Sequence, residues 1–150
     1  MNVRVLLLLA LPLIASASDP SPPVGVPKDA RFHNGAWFRV YRERGSWQHA
    51  QEACKRLGGQ LASIPDESTW NFLKPFIGDS SLWLGATDED EEGVWKWIDG
   101  TPFTFSAWFR GEPTGTDKEF YLCTLHGAWN DARRNDDTSG FVCMWKAIRN

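Results

Sequence analysis

The sequence predicts a protein of the α+β class. Two stretches carry apolar residues at helical spacing behind Ser46 and Asp66, residues suited to cap the start of a helix. Several shorter stretches, rich in aromatic and β-branched residues, have the composition of strands. A long stretch after Thr87 follows neither pattern apart from residues 94–98. Long irregular loops in compact domains are usually functional, so this stretch is the first place to look for a site.

The first residues have the features of a secretory signal peptide. Arg4 supplies a positive charge, residues 5–15 are apolar apart from Pro12, and residues 15–17 read Ala-Ser-Ala, a small-residue cleavage site. This apolar run is only about half as long as a membrane-spanning helix. We therefore expect residues 1–17 to be removed and the protein to be exported without membrane insertion. The expected location is extracellular, or a periplasm-like space if the source is bacterial.

The rest of the chain divides into a linker and one domain. Residues 18–34 contain four prolines among small residues, a composition typical of an extended linker. Residues 35–147 suffice for one core and not for two. The chain has 16 Lys and Arg against 19 Asp and Glu, and without Arg4 the balance is 15 against 19. Nucleic acids and anionic membranes are bound through clustered basic residues, so neither is an expected partner.

The first elements follow the linker directly. Residues 36–41, Ala-Trp-Phe-Arg-Val-Tyr, predict a strand. Ser46 is placed to cap a helix whose apolar residues recur at spacings of three and four, and Gly58 ends it. A short strand is expected at 61–64. Most of the nine tryptophans are expected to fill the core rather than to form a binding surface.

A second helix is expected from its cap, Asp66, to Gly78. Residues 82–86 are nearly all apolar, which indicates a buried strand. After the irregular stretch, strands are expected to resume at 120–125 and 140–146.

Oxygen-bearing side chains are concentrated between residues 111 and 131. They are Glu112, Glu119, Asn130 and Asp131, with Thr114 as a further candidate. Calcium takes about six to eight oxygen ligands from carboxylates, amide carbonyls and exchangeable outside ligands. The segment therefore predicts a site for a hard cation.

Taken in order, these pieces resemble a C-type lectin-like domain over roughly residues 35–146. The resemblance rests on a cysteine-bearing helix, Trp-Leu-Gly at 83–85, the segment 95–100, Glu-Pro at 112–113, Trp-Asn-Asp at 129–131 and a final strand with a cysteine. It implies the C-type lectin-like fold, with two helices flanking small antiparallel sheets and a long irregular loop.

The resemblance implies a disulfide between Cys54 on the first helix and Cys143 on the last strand, and an exported protein meets the oxidising conditions that it needs. Cys123 has no partner, because residues 132–135, where the family often has a cysteine, contain none. We expect Tyr121 to occupy the strand position of the missing bridge, with Cys123 a small buried side chain on the same face. An intermolecular disulfide and a reactive or metal-binding thiol remain alternatives.

In sugar-binding members of the family, one calcium ion is held by residues that correspond here to Glu112, Thr114, Glu119, Asn130 and Asp131. Thr114 stands where the family has Asn, and Pro113 would follow a cis peptide bond. By the resemblance, these residues would also contact vicinal hydroxyls of a sugar, and Glu112 favours the mannose-type arrangement. The other side chains, the Asp131 carbonyl and two sugar hydroxyls still supply about seven oxygens, so sugar affinity is expected to suffer more than calcium binding.

Asp88 and Glu92 match two ligands of an accessory calcium site in the family, and Glu119 would be shared. The other two positions fall on Gly115 and Phe120, which have no side-chain oxygen, so this site is only partly present. Otherwise this acidic turn is simply solvated. The expected cofactor is one calcium ion at the principal site.

The resulting hypothesis is a secreted carbohydrate-binding lectin whose partners are glycans or glycoproteins. The alternative is a calcium-independent module that binds a protein or another surface, since a fold does not fix a function. No enzyme activity is expected, because the acidic residues are assigned to one cation and the common hydrolase and phosphate-loop motifs are missing from the sequence. No collagen or heptad repeat precedes the domain, so a weak homo-oligomer would form through domain faces, the linker or Cys123.

Overall fold

A computed structural model describes residues 19–116 and 118–147 and contains two helices and eight strands within them. In chain order they are β1 (Arg31–His33), β2 (Ala36–Tyr41), α1 (Trp47–Arg56), β3 (Gln60–Leu61), α2 (Glu67–Ile77), β4 (Leu82–Thr87), β5 (Lys96–Trp97), β6 (Tyr121–Leu125), β7 (Ala128–Ala132) and β8 (Gly140–Lys146). The predicted signal peptide, residues 1–17, lies outside the described residues. Within the described part, no helix is long and apolar enough to cross a bilayer.

Both helices begin at the predicted caps. The Ser46 hydroxyl accepts the N–H of His49 at 3.2 Å, and the Asp66 carboxylate accepts the N–H of Thr69 at 2.7 Å. These side chains satisfy N–H groups that have no partner inside the helix. α2 ends at Gly78, whose φ of +59° suits glycine best.

The strands join in one sheet, in the order β1-β2-β8-β4-β6-β7, with β3 also paired to β8 and β5 to β4. β4 and β8 are parallel, and the other pairs are antiparallel. The α+β class is confirmed, but the separate small sheets expected from the sequence are corrected to one mixed sheet. The reason is β8, the last strand, which pairs with β2 on one side and β4 on the other.

Two strands were not predicted, and each belongs to a tight hairpin. β1 turns into β2 through Asn34 (φ +46°) and Gly35 (φ +80°), and β6 turns into β7 through His126 (φ +49°) and Gly127 (φ +73°). Two consecutive residues at positive φ are typical of type I′ hairpin turns. β1 lies within the segment expected to be a linker, so regular structure begins before residue 35.

The helices pack on opposite faces of the sheet. One apolar cluster holds the buried face of α2 with Leu84 and Val142, and the other holds the buried face of α1 with Trp83 and Cys143. Neighbouring strand residues therefore alternate between the two clusters, as a pleated sheet requires. Eight of the nine tryptophans are buried and Trp108 is half-buried, which confirms their predicted role in the core.

The cysteines lie as predicted. Cys54 and Cys143 form a disulfide across an 89-residue separation, and closing such a loop stabilises by about 4 to 5 kcal/mol in the chain-entropy model. Cys123 is free, 3% exposed, and in the same cluster as Tyr121. Burial raises the pKa of the Cys123 thiol to about 12, so it stays protonated at neutral pH. A buried neutral thiol fits the core role and neither of the two alternatives.

Candidate functional site

The long loop is tied to β7 at Trp129. The N–H of Trp129 donates to the Ala107 carbonyl at 2.8 Å, and its own carbonyl accepts the N–H of Phe109 at 2.7 Å. The Trp129 side chain is fully buried among other aromatic rings. A turn follows, in which the N–H of Glu112 donates to the Phe109 carbonyl at 2.9 Å. These bonds bring Glu112 beside Asp131, and the Glu112-Pro113 peptide is cis as the resemblance implies.

Glu112 and Asp131 form the centre of the site. Asp131 is 2% exposed, and Asp131 Oδ1 and Glu112 Oε2 are buried without a hydrogen-bond partner among the described residues. The pKa of Glu112 is raised to about 7, first by burial and then by the carboxylates of Asp131 and Glu119, whereas the N–H of Thr114 acts to lower it. Two ionised carboxylates offer each other only acceptors, so a proton or a cation is needed to join them.

The segment 114–116 holds the other predicted carboxylate in place. Thr114 Oγ1 donates to Glu119 Oε2 at 2.8 Å, and Thr116 Oγ1 reaches the same oxygen at 3.2 Å. Between the two threonines, the N–H of Gly115 donates to Asp131 Oδ2 at 2.9 Å. Sequence reasoning did not single out Thr116. Its only signal was a second hydroxyl three residues before Glu119.

Asn130 lies apart from the carboxylates. Because residues along a strand alternate between faces, Asn130 and Asp131 point to opposite sides of β7. The Asn130 amide donates to the Asp131 carbonyl at 2.5 Å and lies 3.8 Å from the Cys123 sulfur. Of the five predicted sugar-site residues, the structure thus groups Glu112, Thr114, Glu119 and Asp131, and links Asn130 to them only through a backbone carbonyl.

The accessory residues connect to the same site through Asp131. Asp88 is buried, with Oδ2 accepting the N–H of Gly93 at 2.8 Å and Oδ1 without a hydrogen-bond partner in the described part of the chain. Loss of surrounding water, followed by the charges of Asp88 and Asp131, raises the pKa of Glu92. A Cβ on Gly115 would lie 2.7 Å from Glu92 Oε1, so the glycine leaves the room that Glu92 uses. The sequence predicted Glu119 as the shared residue and did not predict this link.

The acidic side chains interact with one another in pairs. Glu112 interacts with Asp131 and Glu119, and Glu92 interacts with Asp131 and Asp88. Accordingly, the described residues contain no group of three acidic, histidine or cysteine side chains arranged to hold a metal. The donors nevertheless suit a hard cation in kind, since all are oxygens and three of the five acids keep a buried oxygen that has no partner among the described residues.

The chain is similar in sequence to known proteins with a C-type lectin domain. The family model "Lectin C-type domain" matches residues 43–145. C-type lectin domain family 4 member M of Hylobates lar is 33% identical over 116 residues, which is 74% of this chain but only 29% of that protein. A perlucin-like protein of Mytilus galloprovincialis is 25% identical, with 94% of this chain and 96% of that protein covered.

Solved structures share the fold. The C-type carbohydrate-recognition domain of cow CD23, determined in the presence of a GlcNAc2Man3 oligosaccharide, superposes with a TM-score of 0.77 at 29% identity, covering 83% of this chain and 98% of that one. A calcium-independent type II antifreeze protein superposes with a TM-score of 0.75 at 24% identity, covering 82% and 95%. With the family model matched across both helices and the candidate site, the chain belongs to the C-type lectin domain family.

Proposed function

We propose that the protein is a calcium-dependent lectin that binds vicinal hydroxyls of a sugar, with a mannose-type preference. The observation that carries the proposal is the pair of buried, unpartnered oxygens, Glu112 Oε2 and Asp131 Oδ1, in the segment that matches the family's sugar site. A calcium ion held there would supply the missing positive charge and leave coordination positions for two sugar hydroxyls.

Each residue has a distinct proposed role. Glu112, Glu119 and Asp131 would provide charged oxygens, and Asn130 a neutral one. Carboxylate oxygens have several acceptor positions, so those that hold a cation can also accept hydrogen bonds from sugar hydroxyls. Thr114 cannot copy an asparagine amide, since its hydroxyl is donated to Glu119. We therefore propose weak monosaccharide binding, one principal calcium ion, and no requirement for an accessory ion at Asp88 and Glu92.

The proposed partners are glycans or glycoproteins in an extracellular setting. Two observations support this setting: the disulfide between Cys54 and Cys143, and the family membership itself. The cow CD23 domain, determined in the presence of a mannose-containing oligosaccharide, supports the class of ligand.

A second candidate function is calcium-independent recognition of a protein or another surface. It is favoured by the hydrogen bonds that already engage Glu119 with Thr114 and the Asp131 carbonyl with Asn130. These oxygens thus have hydrogen-bond partners without any cation, although each keeps a further acceptor position. The calcium-independent antifreeze protein shows that the fold accommodates such members.

Calorimetry with mannose and galactose, in about 10 mM calcium or in EDTA, separates the two functions, because extracellular calcium modules bind with Kd of about 0.1 to 1 mM. We expect calcium-dependent binding of mannose that Asp131→Asn abolishes. Asp79→Asn is the matched control, an equal change of charge on the turn after α2. Binding of neither sugar in calcium would select the second candidate, and sugar binding that persists in EDTA or in Asp131→Asn would contradict a calcium-dependent site at Asp131.

Thr114→Asn refines the same experiment. A new amide that donates to a sugar hydroxyl through a charge-assisted bond contributes about 1.5 to 3 kcal/mol, so mannose affinity should tighten about tenfold or more. The preference over galactose should persist, because Glu112 is unchanged. If the variant binds calcium but neither sugar, the site does not recognise carbohydrate.

A further inference from the structure

A second concave surface lies between α2 and the β1–β2 hairpin and shares no residue with the proposed lectin site. Its cavity of about 320 Å³ is lined by apolar side chains, among them Phe38, Phe72 and Phe76, and by the charged residues Asp29, Arg31 and Arg39. Small-molecule sites are concave, mostly apolar regions of about 300 to 1,000 Å³ with a few polar groups. This groove is at the small end of that range.

Aromatic rings form the apolar part of the groove. Phe72 lies 6.3 Å from Phe38 and 5.7 Å from Phe76, measured between ring centroids, and it is stacked on His33 at 4.5 Å. Phe38 is buried, whereas Phe72 and Phe76 are half-buried and line the cavity. Half-buried rings at these separations offer edges and faces against which another flat ring can pack.

The charge of the groove is concentrated on one residue. Arg39 forms an ion pair with Asp29 at 2.9 Å, so these two charges cancel. The exposed guanidinium of Arg31 lies 4.5 Å above the Phe76 ring and forms no ion pair with any described residue. Arg42 adds a positive charge beside the groove, where it donates to the Phe76 carbonyl at 2.7 Å. A positive groove is notable in a chain with 19 acidic and 16 basic residues.

We propose that this groove binds a small aromatic anion, with its ring against Phe72 and Phe76 and its anionic group on Arg31. A guanidinium presents paired N–H donors that match two oxygens of a carboxylate, sulfate or phosphate group. The ring and the anion are both needed, because the apolar surface is small and Arg31 is open to solvent. The site is independent of calcium and of sugar binding.

Calorimetry on the full chain tests the proposal with naphthalene-2-sulfonate as the probe. The matched probes are 2-naphthalenemethanol, which keeps the ring without the charge, and methanesulfonate, which keeps the charge without the ring. We expect one molecule of naphthalene-2-sulfonate to bind, equally in calcium and in EDTA, and each matched probe to bind at least about tenfold more weakly.

Substitution of the arginine locates the site. Arg31→Gln should weaken the binding of naphthalene-2-sulfonate about tenfold or more, with only a small loss of melting temperature, because Arg31 is exposed and forms no ion pair with a described residue, so that its contact with the Phe76 ring is what the substitution removes. Arg44→Gln is the control: it makes the same change of charge at an exposed arginine paired with Asp137, outside the groove. Binding that is absent, unaffected by Arg31→Gln, or equally weakened by Arg44→Gln would overturn the proposal.

Discussion

Two regions of this protein contain buried carboxylates that differ in how many hydrogen-bond donors surround them. Asp99, whose side chain is 3% exposed, accepts the N–H of Thr101 at 3.0 Å and its hydroxyl at 2.8 Å, and it pairs with the Lys146 ammonium at 2.9 Å. Burial acts to raise the pKa of Asp99, but these donors outweigh it and hold the pKa at about 2. Glu112 Oε2 and Asp131 Oδ1, in contrast, have no donor among the described residues, and the pKa of Glu112 is raised to about 7.

This difference in hydrogen-bond partners distinguishes an acidic residue that stabilises the fold from one that could bind a cation. Most buried polar groups in folded proteins have a hydrogen-bond partner, so an acid with a full set of partners needs no further explanation. A pair of acids that crowd each other and keep unpartnered oxygens is unfavourable by itself, and a bound cation would relieve it. Negative charge alone would not have distinguished the two regions.

The largest expected effect is at the structural acid. Asp99→Asn breaks the ion pair with Lys146 and should lower the free energy of unfolding by about 2 to 3 kcal/mol, equally with and without calcium. Urea denaturation of the variant beside Asp79→Asn measures this. A loss below about 0.5 kcal/mol, the usual range for surface substitutions, would show that the Asp99 contacts contribute little.

Calcium should have the next largest effect, and only through the other region. At about 10 to 100 times the Kd, calcium should raise the free energy of unfolding by about 1.4 to 2.7 kcal/mol. Asp131→Asn should abolish this rise and, in EDTA, should be no less stable than the wild type, because one repelling charge is gone. Urea denaturation of the wild type and of Asp131→Asn, in calcium and in EDTA, measures these free energies of unfolding. An unchanged calcium response in Asp131→Asn would contradict the assignment.

The pH dependence of stability should have opposite sign in the two regions. Because the pKa of Glu112 is raised in the folded protein from 4.5 to about 7, its contribution to stability is present at low pH and is lost as pH rises across this interval. The contribution of Asp99 is instead lost as pH falls from 3.8 toward about 2.

For Glu112, solvent screening of a half-buried carboxyl makes the expected change about 1 kcal/mol. Urea denaturation in EDTA between pH 5 and about 8 should show this decline in the wild type and not in Glu112→Gln. An equal decline in both proteins would assign it to another group. In calcium, protons compete with the metal ion for Glu112. The pH dependence of stability should therefore be reversed, since protonation of Glu112 should weaken metal binding as pH falls below about 7.

The smallest effect is expected at Glu92, which is exposed although it adjoins Asp88 and Asp131. Glu92→Gln should stabilise the calcium-free protein less than Glu112→Gln does and should leave the calcium response intact. The same denaturation series tests both statements. If Glu92→Gln removes the calcium response, Glu92 belongs to the principal site.

Local sequence patterns were sufficient where structure depends on neighbours in the chain. Both helices follow from their caps and apolar spacing, and β2 and β8 match the predicted strands 36–41 and 140–146 residue for residue. The Asn34-Gly35 pair was an available signal for the hairpin that includes β1, since this dipeptide favours type I′ turns. His126-Gly127 is a weaker signal, and β7 is a strand mainly because β6 and the long loop pair with it.

What the sequence determined by itself is therefore the two helices, most of the strands and, through the family resemblance, the disulfide and the segment that carries the oxygen ligands. The tertiary structure alone decided that Asn130 and Asp131 face opposite ways, that Glu92 reaches Asp131 past Gly115, and that Arg31 forms no ion pair with a described residue. The physical reason is that each of these depends on atoms supplied by segments far apart in the chain. A residue's type states what it can bind, whereas its packed surroundings decide whether its oxygens and charges are already satisfied.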